Sequence, residues 1–532
     1  MGKTMKRFLT RWPYFPILFV INTVMVFYFA NYYEIEHEGL IPTLAIAILF
    51  VIIVWFLFFR IFNDLNKSAL ITFIFSALFF NFQNIAYSLR NIAISDNDIT
   101  TVRFWVSNSG QRLVFCCITL LMVLVFILVK KLPKVNITII TYLNLFCVIL
   151  LAIISFYGIN YIIQNKKMVD NFSQYWQGQL NENTLPMDHY SNDSPDIYYI
   201  ILDGFARSDT LLDLYDLDNS GFINELQSKR FYVATESYSN YTQTKTSLAS
   251  SLNMMYLSEA AEVVGENTSN YYPAYYMVNN SIVEQSLRAM GYETVGFKSD
   301  ATFTSFANWD IYYQPKSIPG GFIQTFARTT AGSVLINPLF YKWHRGVINY
   351  TVEQLPTVAS REGPQFIFAH IMCPHPPFVF NSDGTPTKAK RLFTIQDANR
   401  FLIEGTKEEY IEGYRNQVVF IENEILKMVD QIMNTSTDPF ILIIQADHGS
   451  GLQVDQDNHL DSNMTERLGI LNAFYFYDQN YDRLYPEISP VNSFRVIFSQ
   501  YLAINKPVLE DKHYSSNYTD TFNLVSVDDL LK

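Results

Sequence analysis

Near-continuous apolar runs fill most of roughly the first 160 residues, and the remainder has the mixture of apolar and polar positions of an ordinary globular protein. Five of the runs approach the ~20 residues that a helix needs to cross a bilayer core. They cover residues 14–32, 40–59, 69–87, 113–130 and 135–157. The third run is the weakest, because Asn81, Gln83 and Asn84 interrupt its end. The pattern predicts a transmembrane domain of five helices over residues 1–157.

Basic residues predict how these helices are oriented, since the cytoplasmic loops of membrane proteins are richer in Lys and Arg. Three short segments are basic: the start of the chain, the turn between the second and third runs, and the turn between the fourth and fifth. Five alternating helices place all three on one side, which we assign to the cytoplasm. They outweigh Arg90, Arg103 and Arg112 in the loop on the opposite side. The chain is therefore predicted to be a multi-pass protein of the cytoplasmic (inner) membrane whose remaining part is extracytoplasmic.

Residues 158–195 are polar and predict a linker with helical pieces. Beyond it, short runs rich in β-branched and aromatic residues suit strands that are buried on both faces of a parallel sheet. These runs cover residues 196–202, 292–297, 365–370 and 439–446, with helical patterns between them, as at 281–290 and 410–433. Because strands and helices alternate, residues 196–532 are predicted to form one α/β sandwich with a mostly parallel central sheet.

Residues suited to metal binding and catalysis follow several of the predicted strands directly. Asp203 follows the first strand, His370 and His375 lie at the end of another, and Asp447-His448-Gly449 follows the last. In open α/β sheets, chemistry gathers beyond the carboxyl ends of the strands. Carboxylates and imidazoles bind divalent cations, and a glycine permits a sharp turn. A hydroxyl-rich segment, residues 240–253, leads into a predicted helix and completes the candidate site.

Composition narrows the possible partners. The 532 residues are 49% apolar and 17% charged, with a net charge of -12, which disfavours nucleic acid as a partner. Three of the four cysteines, Cys116, Cys117 and Cys147, lie in the apolar runs, which leaves Cys373 alone in the second part. No intramolecular disulfide is therefore expected there.

Four short motifs carry a family resemblance. They are Leu202-Asp203-Gly204, Gln243-Thr244-Lys245-Thr246-Ser247-Leu248, His370-Ile-Met-Cys-Pro-His375-Pro-Pro, and Ala446-Asp447-His448-Gly449 followed by His459. On these motifs the chain resembles the alkaline phosphatase superfamily, in its sulfatase-like branch of membrane enzymes. Within that branch it is similar to lipoteichoic acid synthases and lipid A phosphoethanolamine transferases, which also place five spans before an extracytoplasmic catalytic domain. The resemblance implies an alkaline-phosphatase-like fold for residues 196–532.

The resemblance also implies roles for single residues. Asp203, Asp447 and His448 match the metal ligands of the family, and Thr244 matches its metal-bound nucleophilic threonine. His375 and His459 match histidines that line the substrate phosphate or a second metal, while His370 receives no clear role. A divalent cation bound to a threonine hydroxyl lowers the pKa of that hydroxyl and makes it a usable nucleophile. Four neighbouring hydroxyls compete with Thr244 for this role: Thr242, Thr246, Ser247 and Ser250.

The implied function is a metal-dependent transferase. It would move a phospho-alcohol group from a membrane phospholipid to a cell-envelope glycan or glycolipid through a phospho-threonine intermediate. Mixed carboxylate and imidazole ligands favour Zn²⁺ or Mn²⁺. The segment after Thr244 lacks the downstream Pro and Arg of sulfatases that use formylglycine, which disfavours that chemistry. Because the disulfides of phosphoethanolamine transferases are also absent from the sequence, phosphoethanolamine and phosphoglycerol are both open as the transferred group. A membrane-tethered hydrolase of phosphate or sulfate esters is the alternative, and a non-catalytic glycan-binding relative is a third.

Overall fold

The computed structural model describes residues 12–33, 37–93, 99–184, 194–265, 270–304, 306, 309–361, 363–456, 458, 461–518 and 520–531. The chain divides into two compact units. The first unit takes in Met1–Lys167, Pro319–Tyr341 and Ala389–Phe393, and the second takes in Met168–Ile318, Lys342–Lys388 and Thr394–Lys532.

The first unit is helical. Many side chains that its helices expose are large and apolar, among them Ile41, Leu120 and Phe156, as suits helices surrounded by lipid. Its helices are Phe15–Ala30, Leu40–Phe62, Leu65–Phe80, Phe82–Ala93, Ile99–Val106, Asn108–Lys131, the first part of Ile137–Asn183, and Gly321–Thr329, with a 3₁₀ turn at His37–Gly39.

Helices occupy all five predicted apolar runs, but their lengths differ from the prediction. Within the described part of the chain, three are long and apolar enough to cross a membrane: His37–Phe62, Asn108–Lys131 and Ile137–Asn183. The number rises to four if Leu65–Phe80 and Phe82–Ile92, which bend by 63°, are counted as one span. Phe15–Ala30 has 16 residues, fewer than the ~20 of a typical span. Several apolar helices are therefore confirmed, whereas the predicted number of five is not.

The helix in the third run breaks at Asn81. Leu65–Phe80 ends directly before this residue, and Phe82–Ala93 begins directly after it. The Asn81 side chain donates from Nδ2 to the carbonyl of Ala77 at 3.0 Å. Asn81 is also one of the three polar residues that weakened the prediction for this run.

Residues from much later in the chain complete the core of the first unit. Phe322 and Phe326, on the helix Gly321–Thr329, belong to the same buried cluster as Val20 and Val51. The ring of Phe27 lies 5.4 Å from that of Phe322 and 5.6 Å from that of Phe326. Nothing in the sequence pattern had linked this segment with the apolar helices.

The polar stretch that begins at residue 158 is helical well beyond the last apolar run. Ile137–Asn183 is one continuous helix of 47 residues, about 70 Å long at the usual rise per residue. Near its end, Phe172 and Trp176 are buried in the main core cluster of the second unit.

The second unit is an α/β fold around a seven-stranded sheet with the order β2-β7-β6-β1-β5-β3-β4. Its strands are β1 Asp196–Leu202, β2 Tyr232–Val233, β3 Glu293–Phe297, β4 Ile311–Tyr313, β5 Gln365–Ile371, β6 Phe440–Gln445 and β7 Asn472–Phe476; β8 Tyr514–Ser515 and β9 Val525–Ser526 form a separate pair. The pairs β1–β5, β1–β6, β3–β5 and β3–β4 are parallel, whereas β7 is antiparallel to both β6 and β2. The predicted mostly parallel sheet is confirmed.

Every residue of β1, β5 and β6 is buried. Strands covered on both faces need apolar side chains in both directions, which explains why these runs do not alternate. The helices of this unit are Ser208–Tyr215, Ser220–Ser228, Thr244–Ser251, Ser258–Val264, Tyr272–Asn279, Ile282–Ala289, the later part of Ser333–Gln354, Ala398–Glu404, Lys407–Thr435, Met464–Leu468 and Pro490–Tyr501, with 3₁₀ turns at Thr302–Thr304, Leu355–Ser360 and Asp528–Leu530.

Candidate metal centre and nucleophile

Three potential metal ligands meet where the central strands end. Leu202 of β1 pairs with Ile371 of β5, and Ile201 pairs with Gln445 of β6. This register brings Asp203, His370 and Asp447 to one edge of the sheet, where all three are buried. One ligand atom from each lies within 4.8 Å of the others.

The two carboxylates are only partly satisfied by the protein. Asp203 Oδ2 lies 3.1 Å from His370 Nε2, and Asp447 Oδ1 accepts a hydrogen bond from the Gly204 N–H at 3.0 Å. Among the described residues, Asp203 Oδ1 and Asp447 Oδ2 have no hydrogen-bond partner, although both side chains are buried. Buried carboxylate oxygens without partners are costly. A bound divalent cation would satisfy both.

His448 faces both of these oxygens. Its Nε2 lies 3.4 Å from Asp447 Oδ2 and 3.7 Å from Asp203 Oδ1. Its Nδ1 lies 2.8 Å from the carbonyl of Gly449. Because a carbonyl only accepts hydrogen bonds, Nδ1 is the donor to Gly449, and Nε2 is the nitrogen that faces the carboxylates. This is the usual arrangement of a metal-binding histidine.

The hydroxyl of Thr244 completes the group. Its Oγ1 lies 3.2 Å from His448 Nε2. Thr244 is the first residue of the helix Thr244–Ser251, so the positive end of the helix dipole favours negative charge on this oxygen. Three competing hydroxyls are bonded elsewhere: Thr246 to the Gln243 carbonyl, Ser247 to Ser239 Oγ, and Ser250 to the Met255 carbonyl.

The loop that presents Thr244 is held by the C-terminal segment. The Thr242 N–H donates to the Tyr514 carbonyl at 3.2 Å, and Gln243 Nε2 donates to the Ser516 carbonyl at 2.6 Å. His513 Nδ1 lies 2.9 Å from the carbonyl of Ser239. These contacts join segments more than 250 residues apart, and sequence reasoning did not find them.

Glu466 and Arg467 hold the turn after Asp447. The Gly449 N–H donates to the Arg467 carbonyl at 2.7 Å, and Ser450 Oγ donates to Glu466 Oε1 at 2.6 Å. A Cβ on Gly449 would lie 2.1 Å from the Glu466 carbonyl oxygen, so only glycine fits there. The Arg467 guanidinium also donates from Nε to the Thr242 carbonyl and from Nη2 to Asp397, both at 2.7 Å. One arginine thus links the metal-ligand turn to the nucleophile loop.

His375 acts on Asp203 through charge. Its backbone N–H donates to the Asp203 carbonyl at 3.1 Å, and its side chain is buried. Burial acts to raise the pKa of the Asp203 carboxyl, but the imidazoles of His375, His370 and His448 outweigh burial and lower that pKa. Asp203 is therefore a carboxylate at neutral pH.

The structure thus brings Asp203, Thr244, Asp447 and His448 together, and places His375 near them. His459 lies outside the described residues. His370, which had no clear role in the sequence, stands beside Asp203 within the ligand group. The sequence feature that indicated a position near the ligands was the place of His370 at the end of a predicted strand.

A comparison with protein families found a match over more than half of the chain. The family model described as Sulfatase matches residues 195–496. No curated protein matches the chain.

Several solved structures are similar to this chain. The integral membrane lipooligosaccharide phosphoethanolamine transferase A of Neisseria meningitidis is 13% identical, with a TM-score of 0.41, over 93% of this chain and 95% of that one. The C-terminal periplasmic domain of EcEptC from Escherichia coli, in complex with Zn, is 12% identical, with a TM-score of 0.41, over 64% of this chain and 96% of that one. The phosphonate monoester hydrolase of Agrobacterium radiobacter is 10% identical, with a TM-score of 0.37, over 60% of this chain and 80% of that one.

Proposed function

The chain belongs to the sulfatase family, and from that premise we propose that it is a metal-dependent transferase of a phospho-alcohol group. The family lies within the alkaline phosphatase superfamily, and the protein is an enzyme of that superfamily. The donor is a membrane phospholipid of the phosphoethanolamine or phosphoglycerol type, and the acceptor is a cell-envelope glycan or glycolipid. Thr244 carries the group between them as a phospho-threonine.

One observation carries the proposal. The Thr244 hydroxyl lies against His448 Nε2, which in turn faces the two carboxylate oxygens that have no partner among the described residues. A structural threonine at a helix start needs none of these neighbours. Their convergence on one point suits a nucleophile that must be deprotonated.

The donor set fits a divalent cation. Asp203, Asp447, His448 and the Thr244 hydroxyl would hold it, with His370 beside them. Two carboxylates with imidazole nitrogen favour Zn²⁺ or Mn²⁺ over Mg²⁺. When bound, such an ion lowers the pKa of the threonine hydroxyl and offsets charge on the phosphoryl oxygens.

The group is transferred in two steps, both at the Thr244 hydroxyl. Thr244 Oγ1 attacks phosphorus, the phosphorus–oxygen bond to diacylglycerol breaks, and the proton lost by threonine ends on the diacylglycerol hydroxyl. An acceptor hydroxyl next attacks the same phosphorus, the phosphorus–Oγ1 bond breaks, and the proton lost by the acceptor ends on Oγ1. His375 supplies positive charge beside the phosphoryl group or protonates the leaving alcohol, and His459 is proposed for the same task.

The apolar helices of the first unit support a lipid donor. We assign the protein to the cytoplasmic (inner) membrane as a multi-pass protein, with residues 196–532 as its extracytoplasmic catalytic domain. A hydrolase of phosphate or sulfate esters would share the metal centre and is the second candidate. One observation favours the hydrolase. Thr244 is partly exposed, so water could also reach a phospho-threonine at this position.

The test is mass spectrometry of the full-length protein in detergent with Zn²⁺ or Mn²⁺ and labelled phospholipid. A head-group adduct is expected on the Thr244 peptide, absent from Thr244→Val and retained in Thr244→Ser. An adduct on Thr246 or Ser247 would overturn the assignment of the nucleophile. Supplying envelope glycan then separates the two functions: label on the glycan supports transfer, and label released only into water supports hydrolysis.

A further inference from the structure

The residue after the proposed nucleophile is a lysine whose ammonium is held by aromatic rings. Lys245 Nζ lies 3.4 Å from the centre of the Tyr271 ring and 5.9 Å from that of Phe303. Tyr271 is itself anchored, because its hydroxyl donates to the Tyr518 carbonyl. An ammonium over an aromatic face is attracted to the ring, so this positive charge has a defined position.

Contacts continue from this lysine to the candidate metal centre. The Phe303 ring lies 5.9 Å from the ring of His370, and His370 Nε2 lies 3.1 Å from Asp203 Oδ2. Phe303 thus lies between His370, in the ligand group, and the Lys245 ammonium, and we call these three side chains the Lys245 wall. Lys245 and Phe303 are both partly exposed, so a bound head group can reach them.

The positive charge in the Lys245 wall acts differently on cationic and on neutral head groups. An ethanolamine head group ends in an ammonium, which a fixed lysine charge repels. The Tyr271 face that could have attracted that ammonium already holds Lys245. A glycerol head group carries only hydroxyls, which accept hydrogen bonds from an ammonium.

We propose that Lys245, held on Tyr271, makes this site selective for phospholipids whose head group is an uncharged polyol over those whose head group is an amine. The inference rests on the proposed function and specifies its donor. Selection acts at the first step, in which the Oγ1–phosphorus bond forms, the bond to diacylglycerol breaks, and the threonine proton ends on the diacylglycerol hydroxyl.

A competition experiment tests the selectivity. The full-length protein in detergent with Zn²⁺ is given mixed micelles that contain equal amounts of phosphatidylglycerol and phosphatidylethanolamine. Mass spectrometry then measures the ratio of the two adducts on Thr244, and chromatography measures which lipid is consumed. Because both donors compete in one tube, differences in folding or metal content between variants cancel from the ratio.

We expect the phosphoglycerol adduct to exceed the phosphoethanolamine adduct about tenfold in the unmodified protein, and Lys245→Met to lower that ratio about tenfold. Lys245→Arg keeps the charge and should keep the preference. Lys427→Met is the matched control, since Lys427 lies on the helix Lys407–Thr435 and pairs with Glu424; it should leave the ratio unchanged.

Three results would overturn the inference. Equal or preferred use of phosphatidylethanolamine, or a ratio that Lys245→Met does not move, would refute the selectivity while leaving the transferase proposal standing. Consumption of neither lipid, with metal bound, would refute the proposed function and the selectivity with it.

Discussion

The two units of this protein differ in the kind of polar group that they bury. In the apolar helices of the first unit, several hydroxyls donate to carbonyls one turn earlier, as Thr23 does to Phe19, Thr43 to Gly39 and Thr72 to Ser68, although the buried Ser76 hydroxyl has no partner among the described residues. In the second unit, Asp203 and Asp447 each keep one buried oxygen without a partner in the described part of the chain.

The difference teaches how a buried polar group should be interpreted. A hydroxyl that is satisfied within its own helix lets that helix face lipid, because no polar group remains to be solvated. A pair of buried carboxylates with open oxygens lowers stability unless something outside the chain binds them. Such a pair is therefore informative about function, whereas a locally satisfied hydroxyl is not.

Replacing one threonine in each unit should give the largest difference between the two units in turnover. Thr244→Val removes the hydroxyl against His448, and we expect turnover to fall at least about a thousandfold with the thermal midpoint nearly unchanged. Thr72→Val removes a hydroxyl that bonds to its own helix and should leave turnover within about twofold. Initial rates with labelled phospholipid and thermal melts check both. Equal losses in the two variants would contradict a special role for Thr244.

Metal binding tests whether the buried carboxylate oxygens of Asp203 and Asp447 form a cation site. We expect Zn²⁺ or Mn²⁺ to raise stability by about 2.7 kcal/mol at a hundredfold excess over Kd, and a chelator to reverse this. Asp447→Asn should lose the metal effect yet be at least as stable as the metal-free protein, because it relieves repulsion between buried carboxylates. Thermal melts with metal analysis measure this. Asp430→Asn, at the exposed pair with Lys229, is the control. A metal effect unchanged in Asp447→Asn would place the ion elsewhere.

Breaking the buried link between the turn and the nucleophile loop should lower the stability of the second unit. Arg467→Met leaves Asp397 buried without its partner, and we expect a loss of about 3–5 kcal/mol in the free energy of unfolding. Arg400→Met, which breaks the more exposed pair with Glu404, should cost less than about 1 kcal/mol.

A double variant separates stability from positioning at Arg467. Arg467→Met with Asp397→Leu removes the unpaired charge and should recover much of the stability. Turnover should stay low, because the bond to the Thr242 carbonyl is still missing. Recovery of both stability and turnover would show that Arg467 has only a structural role.

The smallest effect concerns a buried carboxyl away from the metal group. Burial raises the pKa of Glu422 to about 7, and a hydrogen bond from Asn219 opposes this only in part. Since the folded pKa lies above the unfolded value, stability falls as pH rises from about 4.5 to 7. Glu422→Gln should therefore stabilise the protein by about 1–3 kcal/mol at pH 8 and little at pH 4, with turnover unchanged. Denaturant titrations at both pH values measure this, and equal effects at the two would contradict it.

Much of the fold could be predicted from the sequence, because the pattern of apolar residues in a segment reflects how that segment is buried. The uniformly apolar runs of β1, β5 and β6 occur where both sheet faces are covered, and the candidate ligands follow those runs directly. The predicted number of five membrane crossings is not confirmed. The length of an apolar run alone does not show that the helix in the third run breaks at Asn81, nor that the helix Phe15–Ala30 has only 16 residues.

The amino-acid sequence alone was enough to identify an apolar helical part, a mostly parallel sheet and the residue types of a metal site, because periodicity and short motifs are local properties. The folded chain added what depends on contacts between distant segments. It seats Phe322 and Phe326 among the apolar helices, ties Arg467 to Thr242, and places His370 beside Asp203. These contacts follow from the packing and register of whole elements, and no pattern within a short window of residues encodes them.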